Sequence, residues 1–72
     1  MTIQFLKYIV AVAEIGSITE AAKQLHISQP SLSAALKEAE KEVGFEIFTR
    51  SRSGIALTKE GVEFLGYGRY RM

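Results

Sequence analysis

Apolar residues recur at helical spacing over the first part of the chain. Phe5, Ile9, Val12 and Ala13 stand at i, i+4, i+7 and i+8, which places their side chains on one buried stripe of an α-helix. The pattern predicts a helix over about residues 3–15, with Leu6 and Val10 widening its apolar stripe. Residue 16 is a glycine, and we expect it to end this helix because the residue after a helix often adopts a left-handed conformation.

Two further helices are predicted from their capping signals. Ser17 and Glu20 have the spacing of a capping box, in which the serine oxygen accepts from the Glu20 amide and the glutamate side chain reaches back to the Ser17 amide. A short second helix is expected through Leu25, followed by a tight turn over 26–28. Ser28 suits an N-cap, and Pro30 suits the first helical turn, where its missing N–H is not needed.

The third helix is predicted to run to about residue 43 and to end at the glycine that follows. Five of its residues share the spacing i, i+3, i+4, i+7 and i+11, which is typical of a buried face. These residues are Leu32, Ala35, Leu36, Ala39 and Val43.

The pattern changes from helical spacing to alternation after residue 44. Apolar residues alternate over 45–48 and again over 55–57, on either side of the polar segment 50–54 that ends in glycine. This arrangement predicts a two-stranded hairpin with a basic tip. Thr58 then suits the cap of a fourth helix with apolar residues Val62, Phe64 and Leu65. Gly66 and Gly68 each weaken that helix by about 1 kcal/mol relative to alanine, so we expect its end to fray.

The predicted fold is therefore mainly α, with a three-helix core, a two-stranded β wing over 48–57 and the start of a fourth helix. We place the folded domain at residues 1–58 and the start of a linker or dimerisation helix at 59–72.

The composition disfavours an enzyme. The chain has 72 residues and contains no Cys, Asp, Asn or Trp, and its one histidine is His26. Disulfides and thiolate metal sites are therefore excluded, and the missing residue types exclude most catalytic dyads and metal-ligand clusters as well. We expect no catalytic residue, no metal and no cofactor, and we interpret His26 as a turn residue. The apolar run 9–13 is too short to cross a bilayer, so we expect no membrane contact and a cytoplasmic location at the nucleoid.

The charges are unevenly distributed although the net charge is only +1. Residues 50–72 carry five basic and two acidic side chains, a modest indication of an edge that faces a polyanion. The acidic side chains Glu38, Glu40 and Glu42 indicate that the second half of the third helix points away from phosphates. Glu40 is a candidate for pairing within the protein.

The second and third helices, joined by a three-residue turn, form a helix-turn-helix, whose second helix enters the DNA major groove. The buried stripe of that helix leaves a small, polar face on another side, made of Gln29, Pro30, Ser33, Ala34 and Lys37. Small residues permit a deep approach to base edges. Gln29 can pair with adenine and Ser33 with several bases, whereas Lys37 is either a phosphate contact or an ordinary surface charge.

Two further groups, the helix N-termini and the wing arginines, are candidates for contacts with the DNA. The backbone N–H groups at the start of a helix carry partial positive charge that suits phosphate oxygens, which adds Ser17, Thr19 and Ser31 to the candidate DNA-binding residues. Arg50 and Arg52, on the wing, are positioned to follow the backbone or to enter the minor groove. Arg50 alternatively covers the apolar hairpin with its aliphatic stem.

The order of these motifs closely resembles the N-terminal domain of LysR-type transcriptional regulators. The resemblance extends over about residues 3–65 and rests on the segments 17–22 and 28–33, followed by Leu57-Thr58 and single matching positions. Those single positions are Leu25, Glu40, Gly44, Phe48, Arg50 and Gly61.

The resemblance implies a bacterial regulator that places residues 28–43 in the major groove of double-stranded DNA. On the same analogy, Gln29, Pro30 and Ser33 match groove-facing positions, and Arg50 and Arg52 match the wing. Such regulators form dimers or tetramers and sense a small co-inducer in a separate domain. We therefore expect homo-oligomers through the linker helix in the full-length protein. We also expect this chain to be an excised or truncated domain that ends within the linker helix and senses nothing by itself.

Ala34 and Ala35 depart from the family pattern, because many members carry longer polar or basic residues there. Fewer direct base contacts, and greater reliance on DNA shape, are expected from this departure. The two alanines and the low net charge also keep a second hypothesis open, in which the winged helix serves protein–protein contact or dimerisation.

Overall fold

The structure, a computed structural model, describes residues 2–51 and 54–66. Three helices come first: α1 (Ile3–Ile15), α2 (Ile18–Leu25) and α3 (Gln29–Val43). A hairpin of β1 (Phe48–Ser51) and β2 (Gly54–Leu57) follows, and then α4 (Lys59–Leu65). The mainly α fold with a three-helix core and a two-stranded wing confirms the sequence prediction.

The core lies where α1, α2 and α3 pack against one another and against the start of the wing. Its largest fully buried side chains are Ile9, Val12, Leu32 and Ile47. The predicted stripe of α1 is therefore correct at its centre, but Leu6 is 39% exposed and lies on the outer face instead. Leu6 lies about 60° around the helix axis from Ile9 on the side opposite Val12, and the packing of α1 buries the Val12 side and leaves the Leu6 side at the edge of the core.

Each of the three core helices begins with a side-chain cap. Thr2 Oγ1, Ser17 Oγ and Ser28 Oγ accept from the amides of residues 5, 20 and 31. The reciprocal half of the predicted capping box is wrong, because the Glu20 carboxylate does not return to Ser17 and instead lies 3.4 Å from Lys23 Nζ. A helical pair of opposite charges three positions apart competes for the same carboxylate.

Left-handed residues end the helices where the sequence predicted. Gly16 (φ 78°) ends α1 and Gly44 (φ 84°) ends α3. His26 ends α2 with a φ of 61°, which agrees with its interpretation as a turn residue.

The wing is a regular antiparallel ladder with Phe48 opposite Leu57 and Ser51 opposite Gly54. Arg50 pairs with Ile55 within this ladder, so the prediction that the tip loop begins at residue 50 is wrong. Strand pairing continues two residues further because neither Arg50 nor Ser51 interrupts the backbone hydrogen bonds. Residues 52 and 53, and with them Arg52, lie outside the described part of the chain.

The fourth helix is joined closely to the wing. Thr58 caps α4 by accepting from the Gly61 amide at 2.9 Å, as predicted. Gly61 is buried, and a side chain there would overlap the Ile47 carbonyl oxygen. The helix ends at Leu65, followed by Gly66 with φ 98° and ψ 149°. The predicted fraying beyond this point, including that at Gly68, concerns residues outside the described ones.

Within residues 2–51 and 54–66, no helix is long and apolar enough to cross a membrane. The same residues contain no group of three or more histidine or acidic side chains placed to hold a metal ion.

Candidate nucleic-acid interface

The N-terminal half of α3 presents a narrow polar surface away from the core. We call this surface the α3 outer face and define it by Gln29, Pro30, Ser33, Ala34 and Lys37. Ser33 is half-buried and the other four are exposed, whereas Leu32 and Leu36 on the opposite side are buried. The structure therefore brings together the five residues that the helical spacing grouped.

A straight row of side chains runs along the α3 outer face. Gln29, Ser33 and Lys37 are separated by four residues each, so they stack one above another over about 12 Å of helix. Pro30 and Ala34 lie beside them, and their side chains project little from the helix surface. A helix of about 10–12 Å in diameter fits a major groove of about the same width, and the short side chains of Pro30, Ser33 and Ala34 permit a close approach to base edges.

The first turn of α3 has a second serine bond that the sequence analysis missed. Ser28 Oγ accepts from the Ser31 amide at 3.1 Å and also donates to Ser31 Oγ at 2.9 Å. The spacing Ser-x-x-Ser at a cap was the available signal, by analogy with the capping box. Ser31 is exposed, and this geometry leaves its own O–H free to donate away from the protein.

The wing lies beside the α3 outer face across an open cleft of about 350 Å³. Lys37 contributes to one wall of this cleft, and Thr49 and Arg50 contribute to the other. Arg50 is exposed and stands on β1. The two cations thus line one cleft, although they are 13 residues apart in the sequence, and Glu40 and Glu46 line it with them.

A smaller cleft of about 240 Å³ joins the wing to the start of α2. Arg50 and Ser51 line it on the wing side and Ser17 on the helix side. Thr19 is exposed in the first turn of α2, where backbone N–H groups have no acceptor within the helix and carry partial positive charge. Arg50 therefore links the α2 N-terminus with the α3 outer face.

Acidic side chains occupy the other end of α3. Glu38 and Glu42 are exposed, while Glu40 is half-buried and its Oε2 accepts from the amides of Ile47 (2.8 Å) and Phe48 (3.1 Å). Glu40 therefore pairs within the protein, with backbone rather than with a cation. No local pattern could have identified these partners, because seven and eight residues separate them from Glu40 and the α3 C-terminus reverses the chain between them.

Comparisons with known proteins agree with this geometry. Residues 3–62 match the family model of the bacterial regulatory helix-turn-helix protein, lysR family. The chain is 44% identical over 69 residues to the HTH-type transcriptional regulator TfdT of Cupriavidus pinatubonensis, covering 96% of this chain and 30% of that protein. It is 43% identical over 65 residues to the Hca operon transcriptional activator HcaR of Escherichia coli, covering 90% and 22%.

Solved structures of similar sequence share the fold. The complex of the CbnR DNA-binding domain with DNA superposes with a TM-score of 0.85 at 43% identity, covering 90% of this chain and 75% of that one. The complex of the BenM DNA-binding domain with the benA site 1 DNA gives 0.87 at 38% identity, covering 96% and 78%. The chain spans less than a third of the length of TfdT and HcaR. The chain belongs to the LysR family of bacterial regulatory helix-turn-helix proteins.

Proposed function

We propose that this chain binds double-stranded DNA sequence-specifically, with the helix of residues 28–43 in the major groove and the wing of residues 48–57 on the backbone or in the minor groove. The observation that carries the proposal is the small, polar and largely exposed α3 outer face. Arg50 of the wing lines a cleft together with Lys37 of this face. The related CbnR and BenM domains have been crystallised with DNA, which supports the same use of this surface.

The candidate residues differ in their proposed roles because their side chains differ in length and in hydrogen-bonding chemistry. Gln29 and Ser33 contact base edges, because a carboxamide and a hydroxyl both donate and accept hydrogen bonds. Pro30 and Ala34 let the helix approach closely. The remaining candidates contact the DNA backbone or minor groove with cations, hydroxyls and helix N-termini. They are Ser17, Thr19, Ser31, Lys37, Arg50 and Arg52.

A salt titration with matched lysine variants tests this proposal. The affinity for duplex DNA is measured by fluorescence anisotropy over a range of salt concentrations for the native chain, Lys37→Gln and Lys41→Gln. Each phosphate contact contributes about −0.9 to the slope of log K against log salt. We expect Lys37→Gln to reduce the slope by about one, and Lys41→Gln, one turn further from the α3 outer face, to leave it nearly unchanged.

Two results would contradict the proposal. Affinity that does not depend on salt would exclude phosphate contacts, and equal effects of the two lysine variants would contradict the phosphate contact assigned to Lys37.

We propose further that the full-length protein is a transcriptional regulator, not an enzyme, acting on DNA in the cytoplasm. In this proposal residues 59–72 begin the linker helix through which it forms homo-oligomers, and a small co-inducer binds a domain outside this chain. Sedimentation velocity of the full-length protein tests the assembly, for which we expect dimers or tetramers.

A second candidate function is protein–protein contact or dimerisation through the winged helix itself. The observation that favours it is the apolar outer side of α1, where Ile3 is 74% exposed and Leu6 39% exposed. If this chain self-associates without DNA and ignores duplex DNA at low salt, protein contact replaces DNA binding as the function of the domain.

A further inference from the structure

The short segment that connects α3 to the wing is held from two sides. This segment, Glu46 to Phe48, follows the turn after α3 and leads directly into β1. Ile47 is fully buried and Phe48 is 7% exposed, so their side chains anchor it in the core. The polar backbone of the segment is bound by side chains from two different helices.

The amide side of the segment is bound by α3. One carboxylate oxygen of Glu40 accepts from the Ile47 amide at 2.8 Å and from the Phe48 amide at 3.1 Å. Charge-assisted hydrogen bonds of this kind are about twice as strong as bonds between neutral groups. Glu40 is half-buried, and its removal would leave two partly buried donors without an acceptor.

The carbonyl side of the segment is bound by the start of α4. Thr58 Oγ1 donates to the Glu46 carbonyl oxygen at 2.6 Å, and the Thr58 amide donates to the Ile47 carbonyl oxygen at 2.9 Å. Gly61 allows the close approach, because any Cβ at that position would overlap the Ile47 carbonyl oxygen. The peptide units of the segment therefore have fixed positions relative to both helices.

This arrangement ties the wing to α3. Arg50 follows Phe48 by two residues, about 7 Å along an extended strand. Lys37 precedes Glu40 by three residues, less than one helical turn. Lys37, Glu40 and Arg50 line the same cleft, and the Glu40 carboxylate connects α3 directly to the backbone that leads into β1.

We propose that Glu40 is a positioning residue for DNA binding, which fixes the wing at the spacing from α3 that a DNA duplex requires. Thr58 supports the same segment from the α4 side. This inference rests on the proposed function, since it assigns to Glu40 a role in a DNA contact made by the wing. The carboxylate itself faces the protein backbone and makes no contact with DNA.

Three variants separate this role from the effect of charge. Glu40→Met keeps the length of the side chain and removes both acceptors. Glu40→Gln keeps one acceptor oxygen. Glu38→Met, on an exposed position of the same helix, removes the same charge without touching the 46–48 segment. Removing a negative charge by itself strengthens binding to a polyanion, so charge and positioning predict opposite signs.

The variants are compared by duplex affinity and by hydroxyl-radical footprinting of the bound DNA, at the same folded fraction by circular dichroism. We expect Glu40→Met to bind about tenfold more weakly, with a salt slope lower by about one. It should lose protection at the outer bases contacted by the wing while keeping protection at the centre. Glu40→Gln should give an intermediate loss, and Glu38→Met should bind as well as the native chain or better.

Hydrogen exchange of the backbone amides, measured by NMR without DNA, tests the contact between Glu40 and the 46–48 segment independently of DNA binding. Exchange at Ile47 and Phe48 should be faster in Glu40→Met and nearly native in Glu38→Met. If Glu40→Met is folded and its affinity, footprint and exchange equal those of Glu38→Met, the positioning role is overturned. If the native chain fails to bind any duplex, the proposed function fails and the role in DNA binding fails with it. In that case, native-like exchange in Glu40→Met would show that the backbone contact itself does no positioning.

Discussion

At the scale of single residues, the proposed recognition surface combines a few polar side chains with small neighbours. The row of Gln29, Ser33 and Lys37 contains one carboxamide, one hydroxyl and one ammonium group. Pro30 and Ala34 beside it are exposed and short. A surface of this kind makes few contacts per residue, so its affinity depends on how deeply the helix enters the groove. Added bulk is therefore more damaging to binding than the loss of a single polar group.

Ser33 is the position where bulk and polarity are most easily separated. We expect Ser33→Tyr to lower affinity for a specific duplex at least tenfold, because the ring would hold the helix away from the base edges. Ser33→Ala should cost only the hydroxyl's hydrogen bond, about 1 kcal/mol. Isothermal titration calorimetry gives both affinities. Urea unfolding should show both variants within about 0.5 kcal/mol of the native stability.

A tyrosine at position 33 that binds as tightly as the native serine would exclude insertion of this face into a groove.

At the scale of secondary-structure elements, each helix of the core carries its own start and stop signals. The predicted cap residues Ser17 and Ser28 and the glycines at 16 and 44 agree with the structure, whereas the Thr2 cap of α1 is seen only in the structure. Ser28 has a particular position, since it begins the helix whose first turn carries Gln29 and Pro30. Its cap therefore affects both the stability of the domain and the order of the proposed recognition surface.

Two substitutions at Ser28 separate capping from DNA contact. Ser28→Ala removes the acceptor for the Ser31 amide and should cost about 1 kcal/mol, which lowers Tm by about 4–8 °C in a domain of this size. Ser28→Asp restores the cap and suits the positive end of the helix, so its stability should be native or higher. The added carboxylate should nevertheless weaken binding to duplex DNA, because it faces phosphates.

Thermal unfolding and anisotropy titrations on the two variants provide the measurements. A Ser28→Asp chain that is stable and binds DNA as tightly as the native one would place the α3 N-terminus away from the DNA.

Sequence patterns predicted helix caps and helix ends well, and predicted side-chain competition and tertiary packing poorly. Capping serines, left-handed glycines and the apolar spacing of α3 act within one or two helical turns, so the sequence carries their signal directly. Spacing alone does not decide which partner a side chain takes or which side of a helix the core covers. Three features depend on such choices: the length of the β ladder around Arg50, the pairing of Glu20 with Lys23 and the exposure of Leu6. The contact of Glu40 with the 46–48 segment could be identified only in the structure, because the chain turns and changes direction between the partners.

At the scale of the whole molecule, the positions of the charged side chains matter more for DNA binding than the net charge. The net charge of +1 gives little long-range attraction to DNA. Lys37 and Arg50 line one cleft together with Glu40 and Glu46, and the α2 N-terminus lies beside Arg50. Glu40 accepts from backbone amides, whereas Glu46, like Glu38 and Glu42 on α3, is exposed. The division into a domain at 1–58 and a linker helix from 59 stays a prediction.

The central claim is that the α3 outer face, together with the wing, forms the DNA-binding surface. Amide chemical-shift mapping by NMR, during titration with an A·T-rich palindromic duplex at low and then moderate salt, tests it most directly. We predict shifts concentrated at Gln29, Ser31, Ser33, Lys37 and Arg50 that diminish as salt is raised. A folded chain whose shifts instead concentrate on the outer side of α1, or that shows none at high duplex concentration, would contradict the claim.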